Sequence, residues 1–169
     1  VLVGMMGSGK TTVAGLLARG LGWDCVDMDG ELERAAGLSV PEMFAQLGEE
    51  AFRRRERDLA VALQARERTV VAAGGGAFAR TDTREALRAG AFTVWLRCDL
   101  ETVLSRVPLD GSRPLAASRE TIARLFAERE PSYRLADWSV DASLPPELVA
   151  RHIQEALREG GPAAPSSTA

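Results

Sequence analysis

The stretch Val1-Leu2-Val3-Gly4-Met5-Met6-Gly7-Ser8-Gly9-Lys10-Thr11-Thr12 decides how the rest of the chain is read. Residues 4–11 fit the pattern G-x-x-x-x-G-K-[ST] position by position. Three apolar residues precede it, enough for the end of a buried strand, and a helix-like run, Val13-Ala14-Gly15-Leu16-Leu17-Ala18-Arg19, follows. Strand, glycine-rich loop and helix in that order are the context in which the pattern binds nucleoside triphosphates. The glycines let successive backbone N–H groups converge on one small concavity, and the helix start adds unpaired N–H groups and the positive end of its dipole. Lys10 can reach the β- and γ-phosphates, and the Thr11 hydroxyl can take a place around Mg²⁺. Gly7, Ser8, Gly9, Lys10, Thr11 and Thr12 are the expected nucleotide-binding residues.

A chain of 169 residues suits one domain with a sizeable core. With 46% hydrophobic and 27% charged residues the composition is that of an ordinary globular protein, and no run is long enough to span a membrane. No signal peptide is visible. The net charge of -3 argues against a general nucleic-acid binder, which would be basic. Cys25 and Cys98 form no C-x-x-C and are expected as buried free thiols, in keeping with a reducing cytoplasm. The single histidine, His152, is expected on the surface of a C-terminal helix, which excludes a Ser-His-Asp mechanism and a zinc cluster. Proton transfer must then use a carboxylate, a lysine or the phosphate itself.

Outward from the first loop, the sequence predicts a helix over 11–19, a strand over 23–28, helices over 31–36 and from Ser39 on, and a long amphipathic helix over 49–66. Ser39 with Glu42 three residues on is a capping-box signature. Residues 69–73 form an uninterrupted apolar strand running into Gly74-Gly75-Gly76. A short helix over 84–89, a strand over 92–96, a helix over 100–107 capped by Asp99, a polar loop, a helix over 119–130 stopped by Pro131, a last strand over 138–140 and a final helix from Pro146 complete the domain at about residue 159. Residues 160–169 are Gly, Pro, Ala, Ser and Thr only and read as a disordered tail. Five strands alternating with helices imply an α/β fold, a parallel sheet covered on both faces. Ligands of such sheets bind beyond the C-terminal strand ends. Every polar feature of interest falls at such an end, which argues for one site.

Asp27 and Asp29 lie two apart where the second strand ends, so alternation sends them to different sides. One can face the metal near Thr11 and the other a second substrate; the competing role for Asp29 is to cap the next helix. Three consecutive glycines are entropically costly and are tolerable where backbone must approach something closely, here a substrate. Along the long helix, Arg53 and Arg57 share a face and can contribute to an anionic pocket, with Glu56 placed to hold Arg53; Arg54 and Arg55 are expected in solvent. Arg106, Arg113 and Arg134 surround a loop over about 107–118. An arginine arriving from such a loop can neutralise a transferring phosphoryl group, and closure would exclude water. Arg134, just past a helix, can clamp a carboxylate.

Taken together these motifs resemble the shikimate kinases, of the nucleoside-monophosphate-kinase-like group of P-loop kinases. The resemblance spans nearly the whole chain: the loop from Gly4 to Thr12, Asp27-Met28-Asp29, Gly48-Glu49-Glu50-Ala51-Phe52-Arg53-Arg54-Arg55-Glu56 as G-E-x-x-F-R-x-x-E, Gly74-Gly75-Gly76, Arg113-Pro114-Leu115, and Pro131-Ser132-Tyr133-Arg134 as P-x-Y-R. It implies a three-layer sandwich with a five-stranded parallel sheet of order 2-3-1-4-5, a helical substrate-binding insert over about 30–60 and a lid over about 107–118. It implies transfer of the γ-phosphoryl of ATP to the 3-hydroxyl of shikimate, with Mg²⁺. Asp29 would orient or deprotonate the nucleophile, Arg53 and Arg134 would hold the shikimate carboxylate, and Glu56 would position Arg53. Gly74, Gly75 and Gly76 would meet the substrate through backbone. Thr11 and Asp27 would serve Mg²⁺, Lys10 and Arg113 would stabilise the transferring group, and Arg106 would lie over the adenine. The stretch Asp141-Ala142-Ser143-Leu144-Pro145-Pro146 departs from the adenine-side arginine or Asn-Arg pair that many relatives carry after the last strand.

Two other functions fit parts of this pattern. A related small-molecule kinase, acting on gluconate or a nucleoside monophosphate, would share the loop and the fold. A non-catalytic nucleotide switch would share the loop but leave Arg53, the glycines and Arg134 unexplained. A monomer is expected, with no nucleic-acid or membrane partner.

Overall fold

The computed structural model describes residues 1–108 and 118–160. Five parallel strands lie at its centre: β1 (Leu2–Val3), β2 (Asp24–Asp27), β3 (Thr69–Ala72), β4 (Val94–Arg97) and β5 (Trp138–Asp141). Their order is β2-β3-β1-β4-β5, the one expected. The central strands are apolar because helices cover both faces. Leu2, Val3, Val70, Val71, Val94, Trp95 and Leu96 are all buried, and Val13, Leu17, Val103, Ile122, Val149 and Ile153 close over them from the helices.

The helices are α1 (Lys10–Leu21), α2 (Met28–Ala36), α3 (Val40–Leu47), α4 (Glu49–Leu63), α5 (Thr81–Arg88), α6 (Leu100–Arg106), α7 (Arg119–Tyr133) and α8 (Pro146–Arg158), with a 3₁₀ turn at Ala77–Ala79. Among the described residues none is long and apolar enough to cross a membrane. Two caps appear where the sequence places them, at Ser39 and Asp99. The Ser39 hydroxyl accepts from Glu42 N while Glu42 accepts from Ser39 N at 2.8 Å, and Asp99 accepts from Thr102 N at 2.7 Å. Helices α2, α3 and α4 form the insert and carry a small core of their own, Leu32, Met43 and Phe52, with Phe44 against Phe52 at 4.8 Å between ring centroids.

Five expectations need correction. Strand β2 ends at Asp27, and Asp29 already lies in the first turn of α2. Asp27, not Asp29, is the cap of that helix, because its carboxylate accepts from Asp29 N at 3.0 Å and Gly30 N at 3.3 Å. Cys25 is exposed: β2 is an edge strand, and its first two residues face solvent, whereas Cys98 is buried as expected. Pro131 does not stop α7. It loses one helical N–H, but within the last turn, and the helix continues to Tyr133, whose buried ring holds that turn down. Helix α4 ends at Leu63, three residues early, in a turn that closes through Gln64 N and Arg66 N. His152 is exposed on α8, as expected. All of the expected tail beyond Gly160 lies outside the described residues.

Candidate active site

The phosphate loop joins β1 to α1. Gly4 and Gly7 have φ of +143° and +78° there, and a Cβ on either would lie 2.8 Å from the Leu96 carbonyl oxygen or 2.9 Å from Val107 Cγ2. Both the backbone path and the space therefore require glycine. Lys10 Nζ donates back across the loop to the carbonyls of Gly4 at 3.0 Å and Met5 at 2.9 Å. This places an ammonium group at the mouth of the concavity. Ser8 is buried under the loop.

Beside it, the Thr11 hydroxyl donates to Asp27 Oδ2 at 2.6 Å. The other Asp27 oxygen is committed to the cap of α2. One carboxylate thus fixes the start of the insert and faces the phosphate loop. A hydroxyl next to one carboxylate suits Mg²⁺, which keeps several waters and takes its remaining oxygens from the nucleotide. The described residues hold no cluster of three or more His, Cys, Asp or Glu that would make an all-protein metal cage.

The second half of the site forms around Gly74-Gly75-Gly76, where β3 ends. None of the three has a positive φ. Space, not backbone conformation, demands them. A Cβ on Gly74 would lie 2.6 Å from Glu56 Oε1 and 2.9 Å from Asp29 Oδ1, and one on Gly76 would lie 2.7 Å from both terminal nitrogens of Arg53. A Cβ on Gly75 would sit 3.4 Å from Met6 N and 3.8 Å from Arg129 Nη1. The glycine loop is therefore in contact with the phosphate loop on one side and with Asp29, Arg53, Glu56 and Arg129 on the other.

Arg53 is buried, although it belongs to a run of arginines, because α4 turns it inward with Phe52. Its guanidinium donates to Glu56 Oε2 at 2.8 Å and Glu49 Oε1 at 3.2 Å. The rings of Phe44 and Phe52 lie 5.7 Å and 5.3 Å from its Cζ. Arg54, Arg55 and Arg57 face solvent, so Arg57 does not join the pocket. Glu56 is almost fully buried, and among the described residues its Oε1 has no hydrogen-bond partner. Burial pushes its carboxyl up; Arg53 opposes that shift, and the neighbouring Asp29 adds to it.

Arg129 belongs to none of the motifs that the sequence displays. It is only 7% exposed, yet among the described residues no carboxylate lies within salt-bridge distance of it. It faces Glu56, the phenol oxygen of Tyr133 and Gly75. A buried cation of this kind is a place for an anion. Arg134, expected to clamp a carboxylate, lies elsewhere. Its side chain is 67% exposed, bonded to Glu130 at 2.8 Å and over the ring of Trp95. The available signal was helical spacing: Arg129 and Tyr133 are four apart on α7 and share a face, while Arg134 points off it. Arg106 donates to the Ala142 carbonyl at 3.0 Å, and its Cβ lies next to Gly7, so it flanks the phosphate loop on the side of the departing stretch 141–146. Arg113 and most of the expected lid lie outside the described residues.

Comparison with known proteins identifies the family. The family model for shikimate kinase matches residues 6–158. The shikimate kinase of Moorella thermoacetica is 46% identical, covering 94% of this chain and 93% of the relative. That of Methylococcus capsulatus is 43% identical over 83% of this chain and 80% of the relative. Among solved structures, shikimate kinase from Acinetobacter baumannii in complex with shikimate superposes with a TM-score of 0.90 at 34% identity, covering 94% of this chain and 92% of that one. A gluconokinase from Sinorhizobium meliloti shares the fold alone, with a TM-score of 0.62 at 16% identity. The chain belongs to the shikimate kinase family.

Proposed function

We propose that this protein transfers the γ-phosphoryl group of ATP to the 3-hydroxyl of shikimate, releasing shikimate 3-phosphate and ADP on the route to chorismate and the aromatic amino acids. One observation carries the reading: two buried guanidinium groups, Arg53 and Arg129, flank a glycine loop that touches the phosphate loop, with the Asp29 carboxylate beside them. A small polyol carboxylate needs that combination of paired cations, a hydroxyl acceptor and a nearby phosphoryl donor.

In this reading Arg53 and Arg129 hold the acceptor's carboxylate, and Arg129 takes the part that the P-x-Y-R resemblance gave to Arg134. Glu56 and Glu49 keep the Arg53 guanidinium in one plane. Asp29 accepts a hydrogen bond from the attacking hydroxyl. The hydroxyl oxygen bonds to the γ-phosphorus as the bond from that phosphorus to the β–γ bridging oxygen breaks, and the electron pair leaves with ADP. The hydroxyl proton passes late to Asp29, because a loose transition state demands little activation of the nucleophile. Lys10 lies where it can exchange its carbonyl partners for the β- and γ-phosphates. Thr11 and Asp27 would hold Mg²⁺, which neutralises charge on the phosphate oxygens. Arg106 flanks the nucleotide, and Arg113, outside the described residues, would approach the transferring group.

The same reading makes the enzyme a cytoplasmic monomer. Among the described residues the exposed large apolar side chains, Trp23, Leu47, Val61, Leu135 and Leu148, come from different segments of the chain, which supports a protein without an obligate partner. Product analysis tests the function. Phosphorus NMR of a reaction with MgATP and shikimate is expected to show one new phosphomonoester per ADP formed; inorganic phosphate without a phosphomonoester would refute it.

A further inference from the structure

Three glycines in a row have little conformational preference of their own, so something outside the loop must hold them in one shape. Helix α7 supplies the contact. The Tyr133 hydroxyl donates to the carbonyl of Gly75, the middle glycine, across 58 residues of sequence. The same phenol oxygen faces Arg129, one helical turn earlier. Tyr133 is 2% exposed, and its ring packs against Trp95 of β4 at 6.2 Å between centroids. Trp95 in turn touches the phosphate loop, since a Cβ on Gly4 would lie 3.4 Å from Trp95 Cδ1. The ring is therefore held from behind by packing, which sets the hydroxyl against the Gly75 carbonyl.

We infer that Tyr133 is a positioning residue: a single buried hydroxyl fixes both the Gly75 backbone and the Arg129 guanidinium against the acceptor's carboxylate. This rests on the proposed acceptor site and deepens it. Without the hydroxyl, the Gly75 carbonyl loses its partner and Arg129 loses the oxygen that orients it. The ring can stay where it is, because Phe has the same shape. Binding of the acceptor then weakens, while the nucleotide half of the site keeps its own supports in Lys10, Thr11 and Asp27.

The test is Tyr133→Phe in the full-length enzyme, with steady-state kinetics against shikimate and ATP separately and a thermal melt alongside. The expected result is a rise in KM for shikimate of about 5- to 30-fold, the size of losing one buried hydrogen bond. KM for ATP stays within about twofold, and the variant melts cooperatively. A second variant, Arg129→Lys, and the double variant complete a cycle. If the two residues act together, the double variant loses less than the product of the two single losses. An unchanged shikimate KM in Tyr133→Phe, or a parallel rise in both KM values, would overturn the inference. A wild-type enzyme that ignores shikimate altogether would instead overturn the proposed function, so the two failures are distinct.

Discussion

Arg53 and Glu56 form an ion pair at 2.8 Å in which both side chains are buried, and glycines at 74 and 76 leave the space they occupy. Pairing alone does not explain the arrangement, because burial still pushes the Glu56 carboxyl up. In the proposed reading, the pair presents a charged, oriented guanidinium to the acceptor's carboxylate. Glu56→Ala is expected to destabilise the fold by about 2–4 kcal/mol, since it leaves the buried guanidinium with only the half-exposed Glu49 as a carboxylate partner. Urea denaturation measures that value, and a loss under about 1 kcal/mol would mean that Arg53 finds solvent or another partner.

Gly74→Ala and Gly76→Ala separate space from backbone freedom. Neither position has a positive φ, so alanine is conformationally acceptable there. The added methyl must instead displace Glu56 and Asp29 in one case and Arg53 in the other. Both variants should fold, bind nucleotide and lose most shikimate-dependent turnover, with KM for shikimate at least about tenfold higher. Isothermal titration with an ATP analogue, beside kinetics, distinguishes this from general damage.

Arg129 and Arg134 lie on successive turns of one chain segment and should behave oppositely. Arg129→Ala is expected to raise KM for shikimate about 100-fold, the size of losing a charge-assisted contact in a desolvated site. Arg134→Ala should change it less than about threefold, because an exposed ion pair such as Arg134–Glu130 contributes little. The reverse pattern would restore Arg134 to the carboxylate and remove Arg129 from it.

Asp27 serves a helix cap and the phosphate loop at once, and Asp27→Asn divides the two. Asparagine caps a helix as well as aspartate does, so stability should hold to within about 1 kcal/mol. The lost charge next to Thr11 should raise the Mg²⁺ concentration needed for half-maximal rate. A titration of rate against Mg²⁺ at saturating ATP reads this directly. An unchanged requirement would place the metal elsewhere.

At the far end of the sheet, Asp137 accepts from Thr93 N at 2.8 Å, Thr93 Oγ1 at 2.7 Å and Arg88 at 3.1 Å. Burial alone would raise its carboxyl, but the bonds from Thr93 and Arg88 outweigh it and hold it below the ordinary 3.8. A carboxyl held low in the fold binds fewer protons there than in the unfolded chain. Its contribution is therefore present above 3.8 and is lost as pH falls through the lower folded value. The stability gap between wild type and Asp137→Asn should narrow as pH drops below 3.8. Urea midpoints measured from about pH 3 to about pH 6 read it.

Much of this fold was legible because its signals are local. The phosphate loop, the apolar runs of β3 and β4, and the caps at Ser39 and Asp99 each depend on neighbours within a few residues. The order of the sheet comes through the family resemblance instead, as do the roles proposed for Asp29 and Arg53. What escaped depended on three-dimensional packing. The exposure of Cys25 follows from β2 being an edge strand, which its own residues do not state. The continuation of α7 through Pro131 depends on the burial of Tyr133. Arg129 was hidden in a helix with several other charged residues, and only its spacing of four from Tyr133 marks the inward face. The triple glycine was recognised as a close approach, but the groups that approach it, Glu56, Asp29 and Arg53, come from two other helices.

The central claim is that the acceptor is shikimate. ADP release from MgATP, measured with shikimate, gluconate and a set of nucleoside monophosphates as acceptors, tests it most directly. Release that depends on shikimate alone and collapses in Asp29→Asn and Arg53→Ala, while nucleotide still binds, is the predicted result. Release that ignores shikimate and follows another acceptor would contradict it. The fold and the phosphate loop would stand, but Asp29, Arg53 and Arg129 would no longer be the groups that bind a shikimate carboxylate and its reacting hydroxyl.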